Sequence, residues 1–335
     1  MDSHDRPDFD PGTEIENRFI VIQKLGRGGF GDVYLVEDAN KNRYALKTEY
    51  LIARKQALLR EIEFLKKIKK PFVPNVYFSG EDEICRYFVM DIYGPSLMCC
   101  KKNSSKGYLP PQYVILIAEE TLYIMESIHK LGIVHRDIKA SNFLLRPHNK
   151  YPLCLIDFGI SNYFIDPKTK HLIPNEGGKF VGTGKYASLN VHRKNQQTPR
   201  DDLMSWFFML ADLSQKKLPW SKIKDKDEIL SIKESTPASE LCQNLPFCMT
   251  NLYRIISSLD YGEKPNYKEL HEILRQAMKD DCLDWEGYEW KQLWELCPEI
   301  SDLVSRSPGD EKYDTFDPKC PYKNYLSGDK KCFIC

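Results

Sequence analysis

The chain has 335 residues, 42% hydrophobic and 29% charged, with 48 Lys plus Arg against 48 Asp plus Glu. This is ordinary soluble globular composition, enough for one or two cores, with no net charge to draw it to nucleic acid or an acidic membrane. The polar, acidic start lacks the basic and apolar regions of a secretory signal, apolar runs such as residues 114–118 are too short to span a bilayer, and 11 irregularly spaced cysteines read as reduced thiols of a cytosolic protein.

In chain order, residues 1–15 read as a flexible lead-in. Strand-like alternation follows in FIVIQKL, in DVYLVED after a glycine-rich turn, and in RYALK after an NKN turn, predicting a small antiparallel sheet. Residues 51–70 predict a helix with Leu58, Ile62 and Leu65 on one stripe. Two more strands fit residues 75–79 and 86–91. Past Gly94 and Pro95 the pattern becomes mainly helical, as at residues 113–131 and 201–213. A β-rich part followed by an α-rich part predicts an α+β chain of two lobes.

Four motifs carry chemistry. The first, residues 26–33, reads GRGGFGDV, and Gly26, Gly28, Gly29 and Gly31 let backbone N–H groups approach phosphate oxygens. A strand rather than a helix follows, which favours a hairpin lid over a dinucleotide fold. The second is Lys47, at the end of the next strand, where it can hold phosphates if an acid orients it. The helix offers Glu61 and Glu63. Glu61 shares the apolar face with Leu58, Phe64 and Leu65, whereas Glu63 sits among Lys66, Lys67 and Lys70 on the outer face, so Glu61 is assigned to Lys47. The third, HRDIKASN at residues 135–142, supplies Asp137 to orient an acceptor hydroxyl and take its proton, Lys139 to steady the transferring phosphate, and Asn142 to reach a metal ion. In the fourth, Asp157-Phe158-Gly159 after the apolar residues 153–156, the carboxylate can bind a metal that bridges phosphates.

In order and spacing these motifs resemble the signature set of eukaryotic protein kinases. The resemblance implies the two-lobed kinase fold over residues 16–285, with an N-lobe at 16–91, a C-lobe at 95–285 and a tail at 286–335. It also implies ATP with Mg²⁺ (or Mn²⁺) as cofactors. Where kinases usually carry Ala-Pro-Glu, residues 182–190 read GTGKYASLN, which resembles the casein kinase 1 group, as do GPSL at 94–97 and RDDL at 200–203. LPWSKIKDK at 218–226, and SLDY at 258–261 with Lys264-Pro265, are most similar to the tau-tubulin kinases within it.

Further roles follow from the resemblance alone. Met90 would be the gatekeeper, and Asp91 and Tyr93 the hinge backbone bonded to adenine. Leu25, Val33, Ala45, Leu144 and Ile156 would line the ATP site. Thr183 would touch Asp137 and Lys139, which with HRDIK favours Ser/Thr over Tyr as acceptor, and Asp202 would brace the catalytic loop. Lys185, Lys222 and Lys224 would form an anion site for acidic or phosphate-primed substrates, although a solvated basic surface accounts for them equally well. The activation segment carries no clear phosphosite, so activity would be constitutive, in a monomer acting on proteins and not on nucleic acid.

The chain ends CFIC, the form of a prenylation box at Cys332, preceded by Lys323, Lys330 and Lys331. A lipid there is the one route to the membrane, as an addition to a cytoplasmic or nuclear location. A zinc reading of Cys320, Cys332 and Cys335 lacks a fourth ligand. The rival readings are a scaffold that has lost phosphoryl transfer, which the presence of Lys47, Asp137, Asn142 and Asp157 opposes, and a small-molecule kinase, which Thr183 opposes.

Overall fold

Alternating burial along residues 19–50 builds the first layer. In a computed structural model of the chain, covering residues 8–28, 31–51, 56–146, 151–279 and 288–304, strands β1 (Glu14–Ile15), β2 (Phe19–Arg27), β3 (Asp32–Asp38) and β4 (Arg43–Tyr50) run antiparallel. Gly29 and Cys332 lie outside the described residues, as does most of the tail. Helix α1 (Ala57–Ile68) is followed by β5 (Val76–Glu81) and β6 (Cys85–Asp91). β6 inserts beside β4, giving the sheet order β1-β2-β3-β4-β6-β5 and pairing Ala45 with Met90 and Lys47 with Phe88.

The sheet buries both faces. Val21, Tyr34, Val36, Tyr44, Leu46, Tyr87 and Val89 form a core on one side. Leu35, Ala45, Phe88 and Met90 face the other way, into a core shared with α1 and the second lobe. This is the pleat's two-residue period. Leu58, Ile62 and Leu65 are the buried stripe of α1, and the described helix begins at Ala57.

The second lobe starts with α2 (Leu97–Asn103) and α3 (Pro111–His129), then β7 (Ile133–Val134), a 3₁₀ turn (Ala140–Asn142), β8 (Phe143–Leu145), β9 (Leu153–Leu155) and β10 (Asn162–Tyr163). Helices α4 (Leu189–His192), α5 (Pro199–Leu213), α6 (Lys226–Ser235), α7 (Ala238–Leu241), α8 (Cys248–Ser258) and α9 (Tyr267–Met278) complete it. The helices expected at 113–131 and 201–213 each begin two residues earlier, at a proline. Proline's fixed φ suits the first helical turn, where no N–H partner is needed. No helix of the described residues is long and apolar enough to cross a membrane.

Within the expected tail at 286–335, residues 288–304 form α10 (Trp290–Glu295) and α11 (Pro298–Val304) against the second lobe. Trp290 and Leu293 are buried. Asn103 Nδ2 donates to Leu296 O at 2.9 Å, and Tyr113 stacks edge-on against Tyr288 with ring centroids 5.0 Å apart. Arg43 Nη1, from the sheet, donates to Leu303 O at 3.1 Å. Trp294 lies so close to Gly94 that a Cβ there would sit 1.9 Å from the indole, which explains a glycine at the junction of the lobes. Leu293→Ala is expected to cost about 2–5 kcal/mol of stability, read as a lowered unfolding midpoint in denaturant.

Between α3 and α9, His271 Nδ1 lies 2.8 Å from Glu119 Oε2 and its Nε2 lies 3.6 Å from Glu126 Oε2. Burial opposes a charged ring, but the hydrogen bonds to the two carboxylates outweigh it and push His271 up to about 9. The folded pKa is thus above the unfolded one, so this stabilisation is complete below about pH 6.5 and fades as pH climbs through about 9. His271→Gln is expected to lose on the order of 2–3 kcal/mol at pH 6 and markedly less at pH 10, in paired melts of both proteins.

Candidate active site

The register of β4 decides where Lys47 points. One step away Leu46 is buried in the outer core, so Lys47 projects from the opposite face, toward α1 and the second lobe. On α1, the apolar stripe turns Glu61 inward. Lys47 Nζ lies 2.6 Å from Glu61 Oε2 and 3.0 Å from Asp157 Oδ1. Glu63, two positions on, is exposed. Burial opposes the charge on Lys47, yet Glu61 and then Asp157 more than offset it and raise its pKa. Burial raises Glu61 while Lys47 partly restrains it, and the Lys47 charge lowers Asp157.

Asp157 follows β9 with φ +71°, in the left-handed region that a non-glycine residue rarely occupies. Phe158, fully buried, holds it there by packing edge-on to His135 at 4.8 Å. His135 Nε2 in turn meets Ile156 O at 3.0 Å. Arg136 has φ +68°, and the carboxylate of buried Asp202 accepts from the N–H of His135 at 2.6 Å and of Arg136 at 2.8 Å. Although burial opposes ionisation, His129 and His135 keep Asp202 below the usual carboxylate range. Strained backbone at two neighbouring sites, pinned by buried partners, marks a functional centre.

Around Asp137, Lys139 Nζ lies 2.6 Å from Oδ2, while Thr183 donates to Oδ1 from both its N–H, at 3.0 Å, and its hydroxyl, at 2.7 Å. Asn142 Nδ2 donates to Asp137 O at 3.0 Å. Thr183 arrives through Gly182, at φ +106°, where a Cβ would come 2.4 Å from Arg136 O. In the glycine-rich turn, Gly28 N donates to Gly31 O at 2.7 Å, and a Cβ on Gly31 would collide with Thr48 O at 1.7 Å. Gly26 meets nothing within 4 Å, so packing does not demand glycine there.

The residues expected around an adenine ring divide by burial. Ala45 and Met90 are buried, Val33, Leu144 and Ile156 are half-buried, and Leu25 is exposed. Asp91 and Tyr93 turn their side chains away to a common network in which Asp91 accepts from Asn75, Tyr77 and Tyr93. These side chains are therefore engaged with one another, leaving only the backbone of residues 91–93 to meet the expected adenine.

Among the described residues no three or more His, Cys, Asp or Glu gather as a metal site. The oxygen donors near the centre are the Asp157 carboxylate and the Asn142 amide, a hard set of the kind that holds a divalent cation together with phosphate oxygens. Lys47 beside Asp157 provides the matching cation for phosphate, so these residues fit a nucleotide with its metal.

The basic residues expected to bind anions do not stand alike. Lys185 Nζ lies 2.8 Å from Asp212 Oδ1, which also holds Lys101 at 2.9 Å, and Tyr186 donates to the other oxygen. Lys185 is thus committed to an internal ion pair, whereas Lys222 and Lys224 are exposed. The sequence reading missed Asp212, whose signal was an acid inside the apolar run FFMLADL.

The sequence model of the protein kinase domain family matches residues 19–282. A protein of Dictyostelium discoideum described as a probable serine/threonine-protein kinase is 31% identical over 82% of this chain, which spans 55% of that protein. The serine/threonine-protein kinase spe-6 of Caenorhabditis elegans is 28% identical over 95% of this chain and 91% of its own length. Family models of this kind describe domains that use ATP and a divalent cation, the same pairing that Lys47 and Asp157 fit. With the match spanning most of its length and lying over the lobes that carry Lys47, Asp137 and Asp157, the chain belongs to the protein kinase domain family.

Proposed function

We propose that this chain is a serine/threonine protein kinase of the casein kinase 1 group, most similar to tau-tubulin kinases, which uses ATP with Mg²⁺. The observation that carries the reading is the Asp137 carboxylate, held by Lys139 on one oxygen and by Thr183 on the other, beside the Lys47–Glu61–Asp157 cluster. Relatives described as serine/threonine-protein kinases support the acceptor class, and the GTGKYASLN stretch supports the group.

Asp157 and Asn142 would hold the cation, which would offset the charge of the phosphates when ATP is bound to supply the phosphoryl group. The chain's own residues do the rest. Glu61 orients Lys47 toward the phosphates. Asp137 accepts a hydrogen bond from the acceptor hydroxyl and takes its proton, while Thr183 and Lys139 fix which carboxylate oxygen is presented. Lys139 also balances charge that develops on the transferred group. A scaffold without catalysis has no use for this full set, which opposes that alternative.

A preference for acidic or phosphate-primed proteins rests on Lys222 and Lys224, with Lys185 contributing the surplus charge of two lysines sharing one aspartate. Domain limits of 16–285, a monomeric and cytoplasmic or nuclear protein, and a lipid on Cys332 complete the proposal.

Purified chain with Mg-ATP and dephosphorylated acidic proteins or peptides tests it. Wild type is expected to form phosphoserine and phosphothreonine but no phosphotyrosine. Asp137→Asn should lower kcat by roughly 10²–10⁴ with little change in the melting midpoint. Transfer by wild type no greater than by Asp157→Ala would refute the enzyme reading.

A further inference from the structure

Helix α6 buries two side chains, Ile229 and Lys233, four residues apart on one face. A lysine therefore occupies a core position, only 2% exposed, and among the described residues it forms no ion pair. Its ammonium has three N–H donors. They meet Ala187 O at 2.6 Å, Gly184 O at 2.9 Å and His192 Nε2 at 3.3 Å. The ammonium also lies 4.9 Å and 5.2 Å from the ring centroids of Phe208 and Trp220. Backbone dipoles and aromatic faces thus replace the carboxylate that a buried cation usually needs.

The two carbonyls belong to the segment that begins at Thr183. Its inward anchors run residue by residue. Thr183 bonds Asp137, Lys185 O accepts from Trp220 Nε1 at 2.8 Å, Tyr186 OH donates to Asp212 at 2.8 Å, and Ser188 Oγ donates to Asp201 at 2.6 Å. Lys233 ties Gly184 to Ala187 from outside the segment, beside the internal bonds from Tyr186 N and Ala187 N to Thr183 O at 2.9 Å. An acceptor hydroxyl at Asp137 places its neighbouring residue one Cα step, about 3.8 Å, away. The segment starts beside that point, since its first member, Thr183, already touches Asp137.

We propose that Lys233 is a positioning residue for protein substrates, holding residues 184–187 in the shape against which the residue beside the acceptor docks. The inference rests on the kinase reading above. Burial alone pushes Lys233 down to about 7, and the arrangement suits either protonation state. A neutral amine keeps two N–H groups for the two carbonyls and offers its lone pair to His192.

The test compares wild type, Lys233→Met, which keeps the stem but removes the donors, and Lys233→Gln, which restores an N–H₂ on a shorter arm. Expected for Lys233→Met are a KM for peptide raised at least tenfold, a KM for ATP within twofold of wild type, and faster amide exchange confined to residues 183–188. Lys233→Gln should fall between the two. Should Lys233→Met fail to fold, Lys233→Gln decides by the same split. An unchanged peptide KM, a parallel rise in both KM values, or unchanged exchange at 183–188 would overturn the proposal. If wild type transfers no phosphate, the kinase reading fails alone, and the exchange measurement still judges Lys233.

Discussion

The structure depends on one ammonium group shared by three elements. Lys47 stands on a strand of the sheet, Glu61 on the helix packed against it, and Asp157 at the end of a strand in the second lobe. Each has a reason to be there that is independent of the others. Strand alternation turns Lys47 inward, the apolar stripe of α1 turns Glu61 inward, and Phe158 in the core fixes Asp157. Bringing the three together costs desolvation of all of them, which mutual attraction offsets only when both lobes are in place. The cluster therefore reports whether the lobes are correctly set, and it places a cation where phosphates would lie.

A second constraint works on the backbone. Arg136 and Asp157 both hold left-handed conformations. The first is pinned by Asp202 and by Arg136 Nε donating to Ile160 O at 2.5 Å, the second by burial of Phe158. Asp137 follows Arg136 directly, and Thr183 and Lys139 then select its orientation. The segment after Thr183 continues the same logic. Its carbonyls are gathered by Lys233 and Trp220.

The sheet, α1 and the four motifs were legible because each rests on a local period or a fixed spacing. Choosing Glu61 over Glu63 needed only the helical period. The helices at Pro111 and Pro199 begin two residues before the expected stretches, because a proline serves in a first turn that needs no N–H partner. Asp212 and Lys233 were not legible, because a charge in an apolar stripe declares its partners only in three dimensions. Residues 288–304 were hidden for a related reason: α10 and α11 are short, and their order comes from docking against α2, α3 and Gly94 rather than from their own pattern. Lys185 was read for its charge alone, while the buried acid that holds it lies 27 residues further on.

The most direct measurement is the steady-state rate of phosphoryl transfer by Glu61→Gln set beside Glu63→Gln. The amide keeps the volume of the side chain but removes the charge that orients Lys47. The account predicts kcat/KM lower by roughly a hundredfold for Glu61→Gln, with Glu63→Gln equal to wild type. Activity of Glu61→Gln within twofold of wild type, or an equal loss in Glu63→Gln, would contradict it.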